Sequence, residues 1–234
     1  MFQRSPDAVI SARADVTNTF MRGVYLWMAA GLAVTTVFAA IMLYTPAMWK
    51  LVFGNRIVFY GLIFAQLGLV FALSGMIHKL SGFAATGLFM LYSALNGITI
   101  SAVMLVYTSQ SVLTAFLTAA GMFGAMSIYG LVTKRDLTGM GSFMMMGLFG
   151  IIIAMVVNLF MESSKLDLAI SFLGVFIFLG LTAYDTQALR NMGESAPLDD
   201  ATAIRRGTIM GALKLYLDFI NIFLLLLRLM GDRR

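Results

Sequence analysis

Ile209–Met230 reads IMGALKLYLDFINIFLLLLRLM, and its only charged side chains are Lys214, Asp218 and Arg228. A helix of about 20 predominantly apolar residues spans the hydrocarbon core of a bilayer, so this stretch is expected to cross a membrane. Asp218 lies roughly 13 Å of helix rise beyond Ile209, well below the interface. An ionised carboxylate at that depth costs about 2.5–3.5 kcal/mol on the mildest insertion scale, so it needs a partner or a task. Lys214, four residues earlier on the same face, offers a pairing of the less favourable orientation. Its long stem equally lets it snorkel to the surface. A functional carboxylate is the preferred reading.

A second intramembrane acid stands just upstream, in GLTAYDTQALR (Gly180–Arg190). Asp185 and Asp218 lie symmetrically about the polar run Asn191–Arg206. If their helices are antiparallel neighbours, the two carboxylates meet at similar depth. Two such groups cannot both ionise cheaply in a low dielectric, so they share a proton and titrate as a unit. A cation can replace that proton, which makes the pair an expected ion-binding and pH-sensing site.

The rest of the chain agrees with a membrane setting. Of its 234 residues 60% are hydrophobic and only 12% charged. A soluble domain of this size cannot hide so much apolar surface. Candidate spans are Val24–Tyr44, Ile57–Ile77, Phe83–Tyr107, Val112–Val132, Phe143–Met161, Leu168–Tyr184 and Ile209–Met230. The fold class expected is therefore all-α, a polytopic seven-transmembrane-helix bundle. Residues 1–22 form a cytoplasmic N-terminal segment and 23–234 the transmembrane domain. Met1–Arg22 lacks the apolar core of a signal peptide, so the first span is expected to act as an uncleaved insertion signal. The connections are short except Asp185–Thr208, whose Asp199 and Asp200 read as a solvated turn.

Basic residues set the expected orientation. Arg4, Arg13 and Arg22, with Lys79, Lys134, Arg135, Arg190, Arg205 and Arg206 of the even connections, outnumber Lys50, Arg56, Lys165, Arg228, Arg233 and Arg234 opposite. The bias favours a cytoplasmic N-terminus, and seven crossings put the C-terminus outside. A re-entrant last segment would bring its terminal arginines to the cytoplasmic side, but its length favours crossing.

Several chemistries are disfavoured. With no cysteine and a single histidine, His78, the chain offers no thiolate or His-based metal cluster. It carries no P-loop, GxSxG elbow or HExxH sequence, so it is not expected to be an enzyme. The formal charge of +5 reflects topology rather than nucleic-acid binding. Gln66, Asn96, Asn158 and Asn221 read first as interhelical hydrogen-bonding amides. Asn221, three residues after Asp218, also shares its face. Arg228 snorkels at the far end of the last span or closes an outer mouth by pairing. Gly207/Gly211 match the GxxxG spacing of close helix packing, and packing is their expected role.

GLTAYDTQALRNMG (Gly180–Gly193) and MGALKLYLDFINIFLLLLRLMG (Met210–Gly231), with LYSALNGITISAV and GMFGAMSIYGLVTKRDL, resemble the Bax inhibitor-1 family, most closely its bacterial inner-membrane branch. The likeness runs from Tyr25 to Arg234. It implies a seven-helix bundle with the last helix central, in keeping with Ile209–Met230 being apolar on all faces. It further implies a pH-sensitive calcium leak whose paired aspartates, here Asp185 and Asp218, act as sensor. Arg228 matches a family arginine that pairs with an acidic residue of the second helix. Gln66 stands in that acidic position here. A further arginine near the end of the second helix has no match; Met76 occupies its place, with His78 or Lys79 as imperfect substitutes.

The expected function is a passive leak of cations, Ca2+ above all, across a bacterial inner membrane, gated by H+ at Asp185/Asp218. Gln66, Asn221, Lys214 and Arg228 support the pore or its gate. Ca2+ and H+ are ions sensed or moved, with no cofactor and no permanent metal. Two carboxylates cannot complete a calcium shell of six to eight oxygens, so water and carbonyls supply the rest. The alternatives are an interaction protein that modulates a membrane-embedded AAA protease through Met1–Arg22, and a proton-coupled transporter. Membrane lipid is a partner in every case and nucleic acid in none; oligomeric state is not legible.

Overall fold

A computed structural model describes residues 6–196 and 200–233, with side chains described from residue 13 onward. The chain folds into α1 (Pro6–Tyr44), α2 (Pro46–Phe53), α3 (Arg56–Met76), α4 (Gly82–Val106), α5 (Ser109–Val132), α6 (Thr138–Met161), α7 (Ser164–Glu194) and α8 (Ala201–Met230), with a 3-10 turn at Ile77–Lys79. All of these except α2 and the turn are long and apolar enough to cross a membrane. The protein is an all-α polytopic membrane protein. Burial separates the helices sharply: 72% of the apolar window of α8 is buried, against 6% for α3 and for α6. The last helix is thus the most buried of the long helices.

The elements differ from expectation at three places. PAMWKLVF, read as part of a connection, forms α2, with Pro46 in its first turn, where a missing N–H costs nothing. α1 runs unbroken across the expected boundary at Arg22; Phe20, Met21 and Val24 are buried, and Arg13 Nη1 donates to Glu194 O at 2.7 Å. The long polar connection after Tyr184 is mostly helix. α7 continues to Glu194, braced by an Arg190–Glu194 pair at 3.3 Å, and α8 starts at Ala201 with Ala203 N bound to Asp200 Oδ1 at 2.9 Å. Pro197 and Asp199 lie outside the described residues.

Two compact units make up the chain. The first holds residues 1–105 and 190–213. Here α1 and α4 meet through small residues: a Cβ on Gly97 would stand 2.3 Å from Thr35 O, and Thr35 Oγ1 donates to Ser93 O at 2.9 Å. Only glycine permits that approach. Gly207, half of the GxxxG pair, packs against the Phe20 ring. Arg205 Nη2 reaches Thr86 Oγ1 at 3.4 Å, so the start of α8 lies beside the start of α4.

The second unit holds residues 106–189 and 214–234. A Cβ on Gly130 of α5 would stand 2.3 Å from Ala183 O of α7, and Gly141 of α6 lies under the Tyr184 ring. Phe116 and Phe123 of α5 meet Phe219 of α8 edge-on, with ring centroids 5.4 and 5.6 Å apart. The C-terminal tail is tied to the entrance of α5. Thr108 N donates to Asp232 O at 3.1 Å, Asp232 N donates to Ser111 Oγ at 3.0 Å, and Arg233 lies 5.9 Å over the Tyr107 ring. The far end of α8 therefore sits with the α4–α5 connection.

Candidate functional site

The second unit contains a cavity of about 500 Å³ between α6, α7 and α8. From α8 it takes Lys214, Leu217, Asp218 and Asn221, whose spacing of three, four and seven residues places them on one helical face. From α7 it takes Phe178, Tyr184 and Asp185. α6 supplies only apolar groups: Met145, Leu148, Ile151, Ile152 and Met155. The two expected aspartates thus come together in one cavity, within each other's electrostatic reach.

Their surroundings differ. Lys214 Nζ lies 3.4 Å from Asp185 Oδ1, the side chains being 42% and 13% exposed. Lys214 thus pairs across helices, with Asp185 rather than with Asp218 on its own helix. Asp218 is 5% exposed, and its Oδ2 is buried without a hydrogen-bond partner. Each unsatisfied buried polar group in a native fold calls for an explanation, because leaving it so is costly. Asp185 stands deeper along its helix than the sequence suggested. α7 extends nine residues past it, about 14 Å, before ending at Glu194.

The supporting residues fall at distinct places. Asn221 lines the cavity and spends its amide nitrogen on Leu217 O at 2.8 Å, so the atom it can offer a cation is Oδ1. Gln66 Nε2 donates to Thr99 Oγ1 at 2.7 Å, joining α3 to α4. Arg228 Nη1 meets Asp167 Oδ1 of α7 at 3.5 Å. Asp167, rather than a group in the position of Gln66, is the carboxylate of this arginine. His78 and Lys79 are exposed in the 3-10 turn, and Met76 is exposed at the end of α3. Among the described residues, no group of three or more His, Cys, Asp or Glu side chains comes together.

A second cavity, of about 570 Å³, holds Asp167, Arg228, Arg233, Tyr107 and Asn158. It shares Ile152 and Met155 with the acidic cavity, so the two lie end to end along α6. Two residues of this unit escaped the sequence reading. Asp167 falls just before the expected span Leu168–Tyr184. Gln187 clamps the α5–α6 connection, its Oε1 accepting from Leu137 N and its Nε2 donating to Arg135 O, both at 2.8 Å. Its position two residues after Asp185 was the available signal.

The family model described as "Inhibitor of apoptosis-promoting Bax1" matches residues 17–234. The chain is 50% identical over 233 residues to "Inner membrane protein YbhL" of Escherichia coli (strain K12), covering 100% of this chain and 99% of that protein. It is 47% identical over 220 residues to an uncharacterized protein of Borreliella burgdorferi, covering 94% of each. It is 36% identical over 230 residues to an uncharacterized membrane protein of Streptococcus pyogenes serotype M6, covering 96% of this chain and 98% of the relative.

Proposed function

This chain belongs to the Bax inhibitor-1 family, and on that premise we propose that it is a passive cation leak of a bacterial inner membrane, with calcium as the cation and Asp185/Asp218 as a proton-sensitive gate. One observation carries the reading: Asp218, mid-way along the most buried span, keeps an unpartnered carboxylate oxygen in a chamber it shares with Asp185. In a purely structural role that oxygen would be satisfied, because burying it otherwise is costly.

Charge bookkeeping supplies the gate. The charged groups lining the cavity are Asp185, Asp218 and Lys214, and its α6 wall is apolar. One proton on the carboxylates leaves the set neutral, which suits a dry interior. Loss of that proton leaves a net negative charge that draws in a cation. The carboxylates, Asn221 Oδ1 and water then provide the oxygen ligands a hard cation prefers. Because the other walls are apolar, the chamber suits a small ion with its water better than a polar solute. That weighs against the proton-coupled transporter. The cavity beyond, with Arg228 and Asp167, continues the route towards the far face. We place the N-terminus in the cytoplasm by the basic-residue bias, which puts the Arg228 end outside.

The test is calcium flux into indicator-loaded liposomes across roughly pH 6 to 8. The wild-type protein gives a flux that rises with pH, and D218N and D185N flatten that dependence. An unchanged pH-dependent flux in D218N rules the reading out.

A further inference from the structure

We propose that Lys214 is a tethered cation: its ammonium holds the place of the mobile ion in the acidic cavity, and an entering hard cation must displace it from Asp185. The inference rests on the cation-leak reading and names what regulates occupancy of that site.

Three observations support it. First, the cavity's charged set is unbalanced, with two carboxylates and one ammonium, and α6 contributes no polar group. Second, the contact is loose. Nζ meets a single carboxylate oxygen at 3.4 Å, at the long end of hydrogen bonding, and the lysine side chain is 42% exposed while its partner is 13% exposed. Third, the ammonium leaves Asp218 Oδ2 unpartnered although Asp218 is 5% exposed, so the chamber retains unspent affinity for a positive charge.

The residue type fits the task. An ammonium on a four-carbon stem is a compact, hydrated point charge that can swing out without moving the backbone. A guanidinium would grip both carboxylate oxygens in a fixed fork. Lysine thus closes the site in a way a competing ion can reverse.

Terbium(III) serves as the probe, a hard cation whose luminescence is excited through a neighbouring tyrosine; Tyr184 lines the cavity. The full-length protein is titrated in nanodiscs of zwitterionic lipid at about pH 7.5, towards the upper end of the range in which the proposed gate gives up its proton. Removing one positive charge at ion-pair distance should tighten binding by about tenfold or more in K214M and K214Q. K214R, whose guanidinium should hold Asp185 more firmly, should bind more weakly than wild type, and Y184F should lose the sensitised signal. Unchanged or weaker binding in K214M and K214Q, with D218N abolishing the signal, overturns the role of Lys214 and leaves the cation site standing. A signal indifferent to both D218N and Y184F overturns the cation site as well.

Discussion

Gln187 Oε1 accepts the Leu137 amide at 2.8 Å while Gln187 Nε2 donates to Arg135 O at the same distance, so one side chain of α7 satisfies two backbone groups of the α5–α6 connection. Leu137 is buried, and its amide has no water to turn to. Truncation in Q187A orphans a donor and an acceptor and should cost about 1–3 kcal/mol. Q187E keeps the acceptor and loses the donor, so it should fall between. Denaturant unfolding in detergent reads both, and a neutral Q187A contradicts the clamp.

At Gly130, α5 leaves no room for a side chain against the backbone of α7. A Cβ on Gly130 would stand 2.3 Å from Ala183 O, whereas one on Gly121, on the same helix, meets nothing within 4 Å. G130A must therefore push the helices apart and should destabilise by about 1–3 kcal/mol. G121A should be neutral or stabilising by up to about 1 kcal/mol, since alanine is the better helix former. Thermal unfolding of the two variants side by side decides it; equal melting temperatures would refute the packing argument.

Arg228 and Asp167 make a single contact at 3.5 Å with side chains 44% and 38% exposed. A pair so open contributes little, and a double-mutant cycle of R228Q and D167N should give a coupling of about 0–1 kcal/mol that salt weakens. Its importance should show instead in flux, with R228Q raising basal calcium entry into liposomes at low pH. Flux unaltered by either substitution would remove the pair from the route.

Asp136, in the α5–α6 connection, accepts Thr138 Oγ1 at 2.6 Å and Thr138 N at 2.9 Å. The hydroxyl bond, and then the backbone bond, hold its carboxyl below the ordinary value of 3.8. The sign follows from linkage: a value depressed on folding contributes stability above the unfolded value, lost as pH falls through the folded one. T138V, which keeps only the backbone bond, should move the Asp136 titration back up. Carboxyl NMR of the labelled residue reads the shift, and an unmoved titration contradicts the assignment.

Much of the fold was legible because the bilayer imposes a length and a polarity on each span. The paired acids were legible because a charge in such a span stands out. What escaped were partners across helices. Lys214 reads along its own helix towards Asp218, and only the packing of α7 against α8 turns it to Asp185. The polar residues after Tyr184 read as loop, yet α7 continues through them as a helix braced by Arg190 and Glu194. Asp167 and Gln187 fall just outside the span Leu168–Tyr184 expected from sequence, where single polar residues are ordinary, and their partners are set by the return of distant segments. α2 carried its own signal in Pro46 after Thr45, obscured by its brevity.

Infrared difference spectroscopy of the reconstituted protein tests the aspartate pair most directly, by following the C=O stretch of protonated carboxyl groups as calcium is added near neutral pH. The account predicts that calcium bleaches a protonated-carboxyl band in the wild-type protein and that D218N lacks this response. A wild-type spectrum with no calcium-sensitive carboxyl band, or the same band change in D218N, would contradict it.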